Sequence, residues 1–413
     1  MIKIALMGHG VVGSGVAEVF FKHKKAFEKK VGDELELKYI LDLRDFPDLP
    51  YSDLFTKDFS DIINDDEIKV VVEVMGGVGA AYDFVKQCLS KGKSVATSNK
   101  ELVATHGAEL LKIAEENGAN FLFEASVGGG IPIIRPLYQC LSANDIIEID
   151  GILNGTTNYI LTKMIKEQTS FDDALKTAQQ LGYAERDPSA DVGGADACRK
   201  ICILASLAFG KHVYPDQVHT EGITEITLED VDYAKDWGGV IKLLGRARKS
   251  EDGKHIYAIV SPAFVNHHSQ LASVDDVFNA ILVRGDAIGD VVFYGRGAGK
   301  LPTASAVVGD VIDCARHENK QKFFGWADSE EGYVADYLDM PTALYVRVRA
   351  QQKQQVISSA EKTFGEIKLL KRIGAPEDEF AFVTPAASER ELRTKLETLL
   401  GAEIISTIRV TDY

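Results

Sequence analysis

Short apolar runs alternate with longer segments of mixed polarity along the first third of the chain. The runs near residues 2–7, 36–43, 69–75 and 94–97 are rich in apolar residues and predict buried strands, whereas the segments between them predict helices. Buried strands separated by helices are typical of a parallel sheet that is covered on both faces. We therefore expect an α/β fold that begins with a Rossmann-type, doubly wound parallel sheet.

A different pattern begins at about residue 133. Long helical stretches near residues 159–181 and 195–209 are mixed with β-like runs such as 146–153 and 277–284. This mixture predicts a second domain of the α+β class. A further helix, expected near residues 304–316, could pack back on the first domain.

The last quarter of the chain predicts a separate module. Residues 321–339 are polar and acidic with few apolar anchors, which is typical of a linker. Over residues 340–413 the pattern is strand, helix, strand, strand, helix, strand. This βαββαβ order fits a small ferredoxin-like domain.

Composition argues against several classes of protein. The formal net charge of −16 disfavours binding to nucleic acid or to an anionic membrane. The five cysteines are odd in number and scattered, so a disulfide framework is not expected. No apolar run approaches the roughly 18 residues of a membrane span. The first strand begins at residue 2, which leaves no room for a signal peptide. We expect a cytoplasmic protein.

The sequence GHGVVG at residues 8–13 joins the first strand to the first helix. Glycines in this G-x-G-x-x-G spacing let the backbone approach a pyrophosphate at the positive end of a helix, although the motif is also compatible with a structural turn. Its place in the pattern favours a dinucleotide-binding domain, which we assign to residues 1–132 and complete with residues 295–320. The second domain then spans residues 133–294.

Lys200 lies in a largely apolar segment, residues 194–210, that predicts a helix. Apolar surroundings disfavour the charged form of an amine, so this group could exchange a proton near neutral pH. Asp196 lies one turn earlier on the same face. The alternative interpretation is a surface ion pair at helical spacing.

The segment LGYAERDPSADVGG at residues 181–194 leads into this helix and resembles the homoserine dehydrogenase family. Other similar segments are SNK at 98–100, FEASVGGGIPI at 123–133 and NGTTN at 154–158, and the resemblance extends from residue 1 to about residue 316. It implies the interconversion of L-homoserine and L-aspartate 4-semialdehyde with NAD or NADP, a step in the biosynthesis of threonine, methionine and isoleucine.

The resemblance also implies roles for individual residues. Hydride transfer requires a matching proton transfer, for which we choose Lys200, while a positive charge on Lys100 would stabilise the substrate oxygen. The residues implied for substrate binding are Tyr183, Glu185, Asp191, Asp196, Gly155 and Thr156. The residues implied for cofactor binding are Gly8, Gly10, Val11, Val12, Gly13, Arg44, Gly76, Lys100, Gly182 and Gly299.

The sequence leaves the choice between NAD and NADP open. Arg44 follows the second strand, where a 2′-phosphate would lie, and Lys57 could assist it. Asp42 and Asp45 flank Arg44 and could instead receive a ribose 2′-hydroxyl.

The resemblance further implies a structural, Na⁺-like monovalent cation near the hinge. Its ligands would be the Glu124 carboxylate and the backbone carbonyls of Val127, Gly129 and Ile131, a set suited to a hard, singly charged ion. A plain tight turn is the alternative.

The C-terminal module resembles an ACT domain, which implies an amino-acid effector or a role in oligomerisation. Residues 350–355, AQQKQQ, lack the Pro and Gly common in the first turn of such domains. A dimer or tetramer is expected from the resemblance. The alternative function is a nucleotide- or amino-acid-sensing protein without turnover.

Overall fold

The computed structural model describes residues 1–318 and 320–411. Residue 319, within the expected completion of the first domain, and residues 412–413, within the expected C-terminal module, lie outside the described residues. No helix in the described part of the chain is long and apolar enough to cross a membrane.

The first unit is a parallel sheet with helices on both faces. Its strands are β1 (Ile2–Met7), β2 (Leu35–Leu41), β3 (Phe55–Thr56), β4 (Ile68–Glu73), β5 (Ser94–Thr97) and β6 (Phe121–Leu122), and its helices are α1 (Val11–Val31), α2 (Ser60–Ile63), α3 (Gly79–Ser90) and α4 (Lys100–Glu116). The strand order is β3-β2-β1-β4-β5-β6. The order reverses beside β1, so the carboxyl ends of β1 and β4 border a crevice where such folds bind ligands.

The second unit is built around a mixed sheet. Its elements are β7 (Ile146–Ile152), α5 (Gly155–Glu167), α6 (Phe171–Gln180), α7 (Ser189–Val192), α8 (Ala195–Phe209), β8 (His219–Thr220), α9 (Leu228–Trp237), β9 (Gly239–Lys249), β10 (Ile256–Asn266), β11 (Phe278–Gly285), β12 (Gly289–Arg296) and α10 (Lys300–Arg316). Helix α8 is nearly all buried, which accounts for the apolar run in its sequence.

Helix α10 returns to the first unit. A Cβ atom on Gly15 of α1 would lie 2.9 Å from the carbonyl oxygen of Lys300 and 3.1 Å from the Cβ atom of Ala304. Glycine at this position therefore allows α1 and α10 to pack closely. Together they cover one face of the parallel sheet.

The C-terminal elements have the predicted βαββαβ order. They are β13 (Pro341–Arg349), α11 (Lys353–Phe364), β14 (Lys368–Leu370), β15 (Glu379–Val383), β16 (Ala387–Ser388), α12 (Glu389–Glu397) and β17 (Glu403–Thr411), with β16 as a short addition. The main sheet order is β12-β11-β7-β9-β10-β17-β13-β15-β14. Strand β17 pairs in parallel with β10, so the C-terminal strands continue the sheet of the second unit.

The prediction of one continuous helical stretch near residues 159–181 was wrong. This stretch forms α5 and α6, and the chain turns between them where Gln168 adopts the left-handed conformation with φ of 51°. Ser170 then caps α6 by accepting a hydrogen bond from the N–H of Asp173. The segment at residues 321–339, which was expected to be a linker with few apolar contacts, has two buried aromatic side chains, Trp326 and Tyr333.

Candidate active site

The glycine motif forms the turn between β1 and α1. Gly8 has a φ of 96°, and a Cβ atom on Gly13 would lie 2.0 Å from the Gly8 carbonyl oxygen. A Cβ atom on Gly10 would meet no atom within 4 Å, so the backbone there is open to a ligand. Val11 and Val12 begin α1, which has no acidic residue in its first turn. Its free N–H groups can therefore receive a phosphate.

A cavity of about 530 Å³ lies beside this turn. Its walls include Gly8, Gly10, Arg44, Lys57 and Met75. The volume is within the range of small-ligand sites, and the walls combine apolar surface with two cationic side chains. The cavity and the glycine turn together fit a dinucleotide.

Arg44 and Asp42 form a bidentate ion pair at this cavity. Arg44 Nε and Nη2 donate to the two Asp42 carboxylate oxygens at 2.9 and 2.8 Å, and the backbone N–H groups of His9 and Arg44 donate to the same carboxylate. The bonds from Arg44 hold the pKa of Asp42 well below its usual range. Asp42 is thus engaged with the protein, while the Arg44 side chain is 62% exposed.

A buried carboxylate organises the ends of β4 and β5. Glu73 accepts hydrogen bonds from the N–H of Met75 at 2.8 Å and from Thr97 Oγ1 at 2.6 Å. Asn99 donates to the carbonyl oxygen of Gly77 at 2.6 Å and caps α4 by accepting from a backbone N–H at 3.1 Å. This network fixes the turn containing Gly76, which has a φ of 80°. It also fixes the start of α4, where Lys100 lies.

Asp196 lies between two lysines from different units of the structure. Lys200 Nζ donates to Asp196 Oδ2 at 2.7 Å and to the carbonyl oxygen of Leu153 at 2.7 Å. Lys100 Nζ pairs with Asp196 Oδ1 at 2.7 Å. Asp196 and Lys200 are buried, whereas the Lys100 side chain is 39% exposed. The pair predicted on α8 is therefore part of a triad in which Asp196 and Lys200 are buried and Lys100 is partly exposed.

The neighbouring carboxylates of Asp196 and Asp191 have pKa values shifted in opposite directions. Burial raises the pKa of Asp196, but the charges of Lys200 and Lys100 outweigh it and hold that pKa below its usual range. Burial raises the pKa of Asp191, and the nearby Asp196 charge adds to the shift. The Asn154 amide joins them, since Nδ2 donates to Asp191 Oδ1 at 2.7 Å and to Asp196 Oδ2 at 2.9 Å.

The segment predicted to hold the substrate borders this triad. Gly155 and Thr156 begin α5, and Thr156 Oγ1 donates to the carbonyl oxygen of Tyr183 at 2.6 Å. Glu185 and Tyr183 are exposed, and Gly182 turns the chain with a φ of 74°. The structure brings Asp191 to the triad and leaves the Glu185 side chain on the outer loop.

The glycine-rich loop at residues 295–299 contacts the segment at residues 124–133, which joins the first and second units. A Cβ atom on Gly129 would lie 2.5 Å from the carbonyl oxygen of Gly297, and Gly299 precedes α10 with a φ of 131°. The Glu124 carboxylate is buried nearby and accepts backbone N–H groups from residues 133–135 at 2.7 to 2.9 Å. Oε1 accepts two of these bonds, and Oε2 accepts one and lies 3.9 Å from Arg135 Nε. A carboxylate oxygen has more than one acceptor site, so Oε2 keeps a lone pair for a further contact.

Two site residues were missed by sequence reasoning. Asn154 was quoted only as part of a similar segment, and Glu73 was included only as part of the strand predicted at residues 69–75. The amide of Asn154 follows a buried strand and precedes a helix, a position that can signal both a cap and a ligand contact.

Comparison with known proteins identifies the family. The family model described as "Homoserine dehydrogenase, NAD binding domain" matches residues 8–124, and the one described as "Homoserine dehydrogenase" matches residues 132–312. The homoserine dehydrogenase of Bacillus subtilis (strain 168) is 37% identical over 427 residues, which cover 99% of this chain and 97% of the relative. The chain belongs to the homoserine dehydrogenase family.

Solved structures agree with this membership. The homoserine dehydrogenase from Thiobacillus denitrificans matches with a TM-score of 0.88 and 34% identity, covering 100% of this chain and 98% of that one. A hyperthermophilic archaeal homoserine dehydrogenase in complex with NADPH matches with a TM-score of 0.65 and 29% identity, covering 76% of this chain and 97% of that one. The enzyme is thus an NAD(P)-dependent oxidoreductase, as the resemblance implied.

Replacing Asp196 by Asn should destabilise the protein in a pH-dependent way. Because the pKa of Asp196 is lower in the folded state, its contribution to stability is complete above the unfolded pKa of about 3.9 and is lost as the pH falls below it. Breaking this buried pair should cost roughly 3 kcal/mol at pH 7. The free energy of unfolding, measured by urea titration at several pH values, should show the two proteins converging below about pH 4.

The exposed Asp45, which pairs with the exposed Lys57, provides the matched control. Asp45→Asn should change the free energy of unfolding by less than about 0.5 kcal/mol. A stability difference for Asp196→Asn that stays constant between pH 7 and pH 3 would contradict the ion-paired state of this carboxylate.

Proposed function

We propose that the enzyme interconverts L-homoserine and L-aspartate 4-semialdehyde, with Lys200 as the proton-transfer group. The observation that carries this proposal is the pairing of both Lys100 and Lys200 with the buried Asp196 carboxylate. When bound, the nicotinamide cofactor supplies or accepts the hydride. A protein that only senses ligands has no need of two amines held in one buried site, so this pairing disfavours the alternative.

The hydrogen bonds of Lys200 support its role. An ammonium group has three N–H donors, and Leu153 and Asp196 receive two of them in the described structure. The third is left for the substrate oxygen. In the direction of reduction, Lys200 donates this proton to the aldehyde oxygen as the hydride adds to the carbonyl carbon. In the direction of oxidation, the neutral amine removes the hydroxyl proton.

Lys100 supplies the second positive charge. Its half-exposed side chain extends from the start of α4, beside the turn containing Gly76. At this place the ammonium stabilises negative charge on the substrate oxygen during hydride transfer. Asp196 pairs with both amines, and its negative charge offsets the repulsion between their positive charges.

The polar side chains around the triad bind the rest of the substrate. Asp191 lies beside Asp196, and Glu185 would bind the substrate ammonium from its exposed loop. Tyr183, Gly155 and Thr156 would complete the substrate contacts, and the bond from Thr156 to the Tyr183 carbonyl oxygen holds this loop beside the start of α5. A carboxylate from Glu185 matches the ammonium of an amino-acid substrate.

Lys200→Ala should reduce turnover roughly a thousandfold with little change in cofactor affinity, because it removes the proton-transfer group but no cofactor contact. Steady-state kinetics and fluorescence titration of the reduced cofactor measure the two effects. Lys163, a partly exposed lysine paired with Glu167 on α5, provides the control, and Lys163→Ala should retain turnover. A Lys200→Ala rate within about tenfold of the native rate would contradict the role.

We also propose that NADP is the preferred cofactor. The Asp42 oxygens already accept several N–H groups, so a ribose hydroxyl would compete with Arg44 for them. The exposed Arg44 guanidinium and Lys57 at the cavity wall suit a 2′-phosphate. The archaeal relative in complex with NADPH supports the same choice. The remaining cofactor contacts are those predicted at the glycine turn, Gly76, Gly182 and Gly299.

Arg44→Ala should raise the KM for NADP about tenfold or more, because a charge-assisted bond to phosphate is lost. The KM for NAD should stay nearly unchanged, and it serves as the internal control. Initial rates with each cofactor provide the measurement. An equal change for both cofactors would contradict the assignment.

A structural monovalent cation at the hinge is a further part of the proposal. Glu124 Oε2 and the backbone carbonyls of Val127, Gly129 and Ile131 would provide its ligands. NaCl should then raise the melting temperature relative to choline chloride at equal ionic strength, since a ligand of the folded state stabilises it. Glu124→Gln should abolish the difference. Equal melting temperatures of the native protein in both salts would exclude the site.

The C-terminal elements support a proposal about regulation and assembly. Their four main strands are ordered β17-β13-β15-β14 with α11 and α12, which is the topology expected of an ACT-like domain. We propose that this part binds an amino-acid effector or joins subunits of a cytoplasmic dimer or tetramer. The turn after β13 lacks the Pro and Gly common in ACT domains, so a role in joining subunits is at least as well supported as effector binding.

A further inference from the structure

The last strand of the chain carries a buried arginine into the second unit. Arg409, on β17, is 2% exposed. Its Nη1 and Nη2 donate to the two carboxylate oxygens of Glu221 at 2.8 and 2.9 Å. Its Nε and Nη2 also donate to the two oxygens of Glu389, at the start of α12, at 2.7 Å each. The guanidinium therefore joins the C-terminal elements to a residue of the second unit.

Both oxygens of the Glu221 carboxylate are held. Besides Arg409, the carboxylate contacts His219 Nε2 at 2.6 Å, and the His219 ring stacks on Tyr337 with a centroid distance of 3.9 Å. Burial raises the pKa of Glu221, but the Arg409 charge outweighs it and lowers that pKa to about 2. Glu221 is thus a fixed anion at neutral pH rather than a mobile surface group.

The backbone around Glu221 supports the turn that leads into α8. The Glu221 N–H donates to the carbonyl oxygen of Val260 at 2.7 Å, and the Ile223 N–H donates to that of Val192 at 2.9 Å. A Cβ atom on Gly222 would lie 2.1 Å from the Val192 carbonyl oxygen. Residues 220–223 are therefore in direct backbone contact with the segment after Asp191.

The same segment continues to Asp196. Gly194 is the N-cap of α8, with a φ of 88°, and a Cβ atom on it would lie 3.2 Å from the Glu221 carbonyl oxygen. Asp191 precedes this contact and Asp196 follows it. A displacement of Glu221 would thus reach Asp191 through only a few backbone atoms, whereas Asp196 is also held in place by Lys100 and Lys200.

We propose that Glu221 and Arg409 are positioning residues, through which the C-terminal strand sets the position of Asp191 relative to the fixed Asp196, and hence the binding of homoserine. The inference rests on the proposed substrate contact of Asp191. Neither Glu221 nor Arg409 touches the cofactor cavity or the Lys200 amine. Their loss should therefore weaken substrate binding selectively, whereas a purely structural contribution would reduce stability without this selectivity.

The test uses the full-length enzyme with three variants. Glu221→Gln keeps the shape of the side chain and removes its charge, Arg409→Met removes the guanidinium, and Arg409→Lys retains a single charge. Arg349 provides the matched control, because it ends β13 and pairs with two carboxylates, Asp378 and Glu403, but is half-exposed and, in the described part of the chain, has no ion pair with Glu221 or Glu389. Arg349→Met should behave like the native enzyme.

The measurement is the KM for homoserine, the KM for the cofactor, and kcat of each variant. Glu221→Gln and Arg409→Met should each raise the homoserine KM about tenfold, with the cofactor KM and kcat within about twofold. Arg409→Lys should recover part of the loss. The double variant that combines Glu221→Gln with Arg409→Met should have a homoserine KM no higher than that of the worse single variant, because both substitutions break the same ion pair.

Other outcomes would overturn the inference. A homoserine KM within about twofold of native in Glu221→Gln would do so, as would a parallel loss of kcat and of affinity for both ligands. If Arg409→Met does not fold, Glu221→Gln decides alone, since Arg409 keeps its bonds to Glu389. Failure of the proposed substrate assignment is distinguishable, because Asp191→Asn would then leave the homoserine KM unchanged as well.

Discussion

The proposed active site depends on one buried carboxylate that is shared by two ammonium groups. Asp196 and Lys200 belong to α8 of the second unit, whereas Lys100 begins α4 of the first, so the Asp196–Lys100 bond joins the two units at the site. A second ion pair, Arg199 with Glu101 at 3.1 Å, links the same two helices. A buried anion between two cations lets two amines remain close together in surroundings that would otherwise disfavour either charge.

The surrounding fold supplies what this arrangement requires. Glu73 and Asn99 fix the end of β4 and the start of α4, and Gly194 gives α8 its left-handed N-cap, which places Asp196 in the first helical turn. A carboxylate in that turn is also favoured by the helix dipole. The C-terminal strands extend the same mixed sheet, and Arg409 brings them into contact with the residues that support this turn. The site therefore draws on all three parts of the chain.

Local patterns in the sequence predicted much of the fold. The strand at Ile2–Met7 and the helix at Ala195–Phe209 were placed at their observed bounds, because buried strands and an apolar helix with a glycine stop give strong signals. The break between α5 and α6 was missed because Gln168 and Ser170 are compatible with a helix, and only tertiary packing selects the turn. The joining of β17 to β10 depends on contacts between residues almost 150 positions apart, which no local pattern encodes.

The site was predicted unevenly for similar reasons. Asp196 and Lys200 are four residues apart on one helix, so their pairing follows from helical geometry. The approach of Lys100 to the same carboxylate requires the packing of α4 against α8 and was available only from the family resemblance. The Arg44–Asp42 pair was not anticipated, since the sequence allowed either residue to receive the cofactor.

The most direct test of the central claim is a crystal structure of the enzyme with cofactor and homoserine both bound. The account predicts that Lys200 Nζ lies about 3 Å from the homoserine hydroxyl oxygen while keeping its bond to Asp196. A hydroxyl group bonded to solvent, with the Lys200 amine directed away from it, would contradict the account.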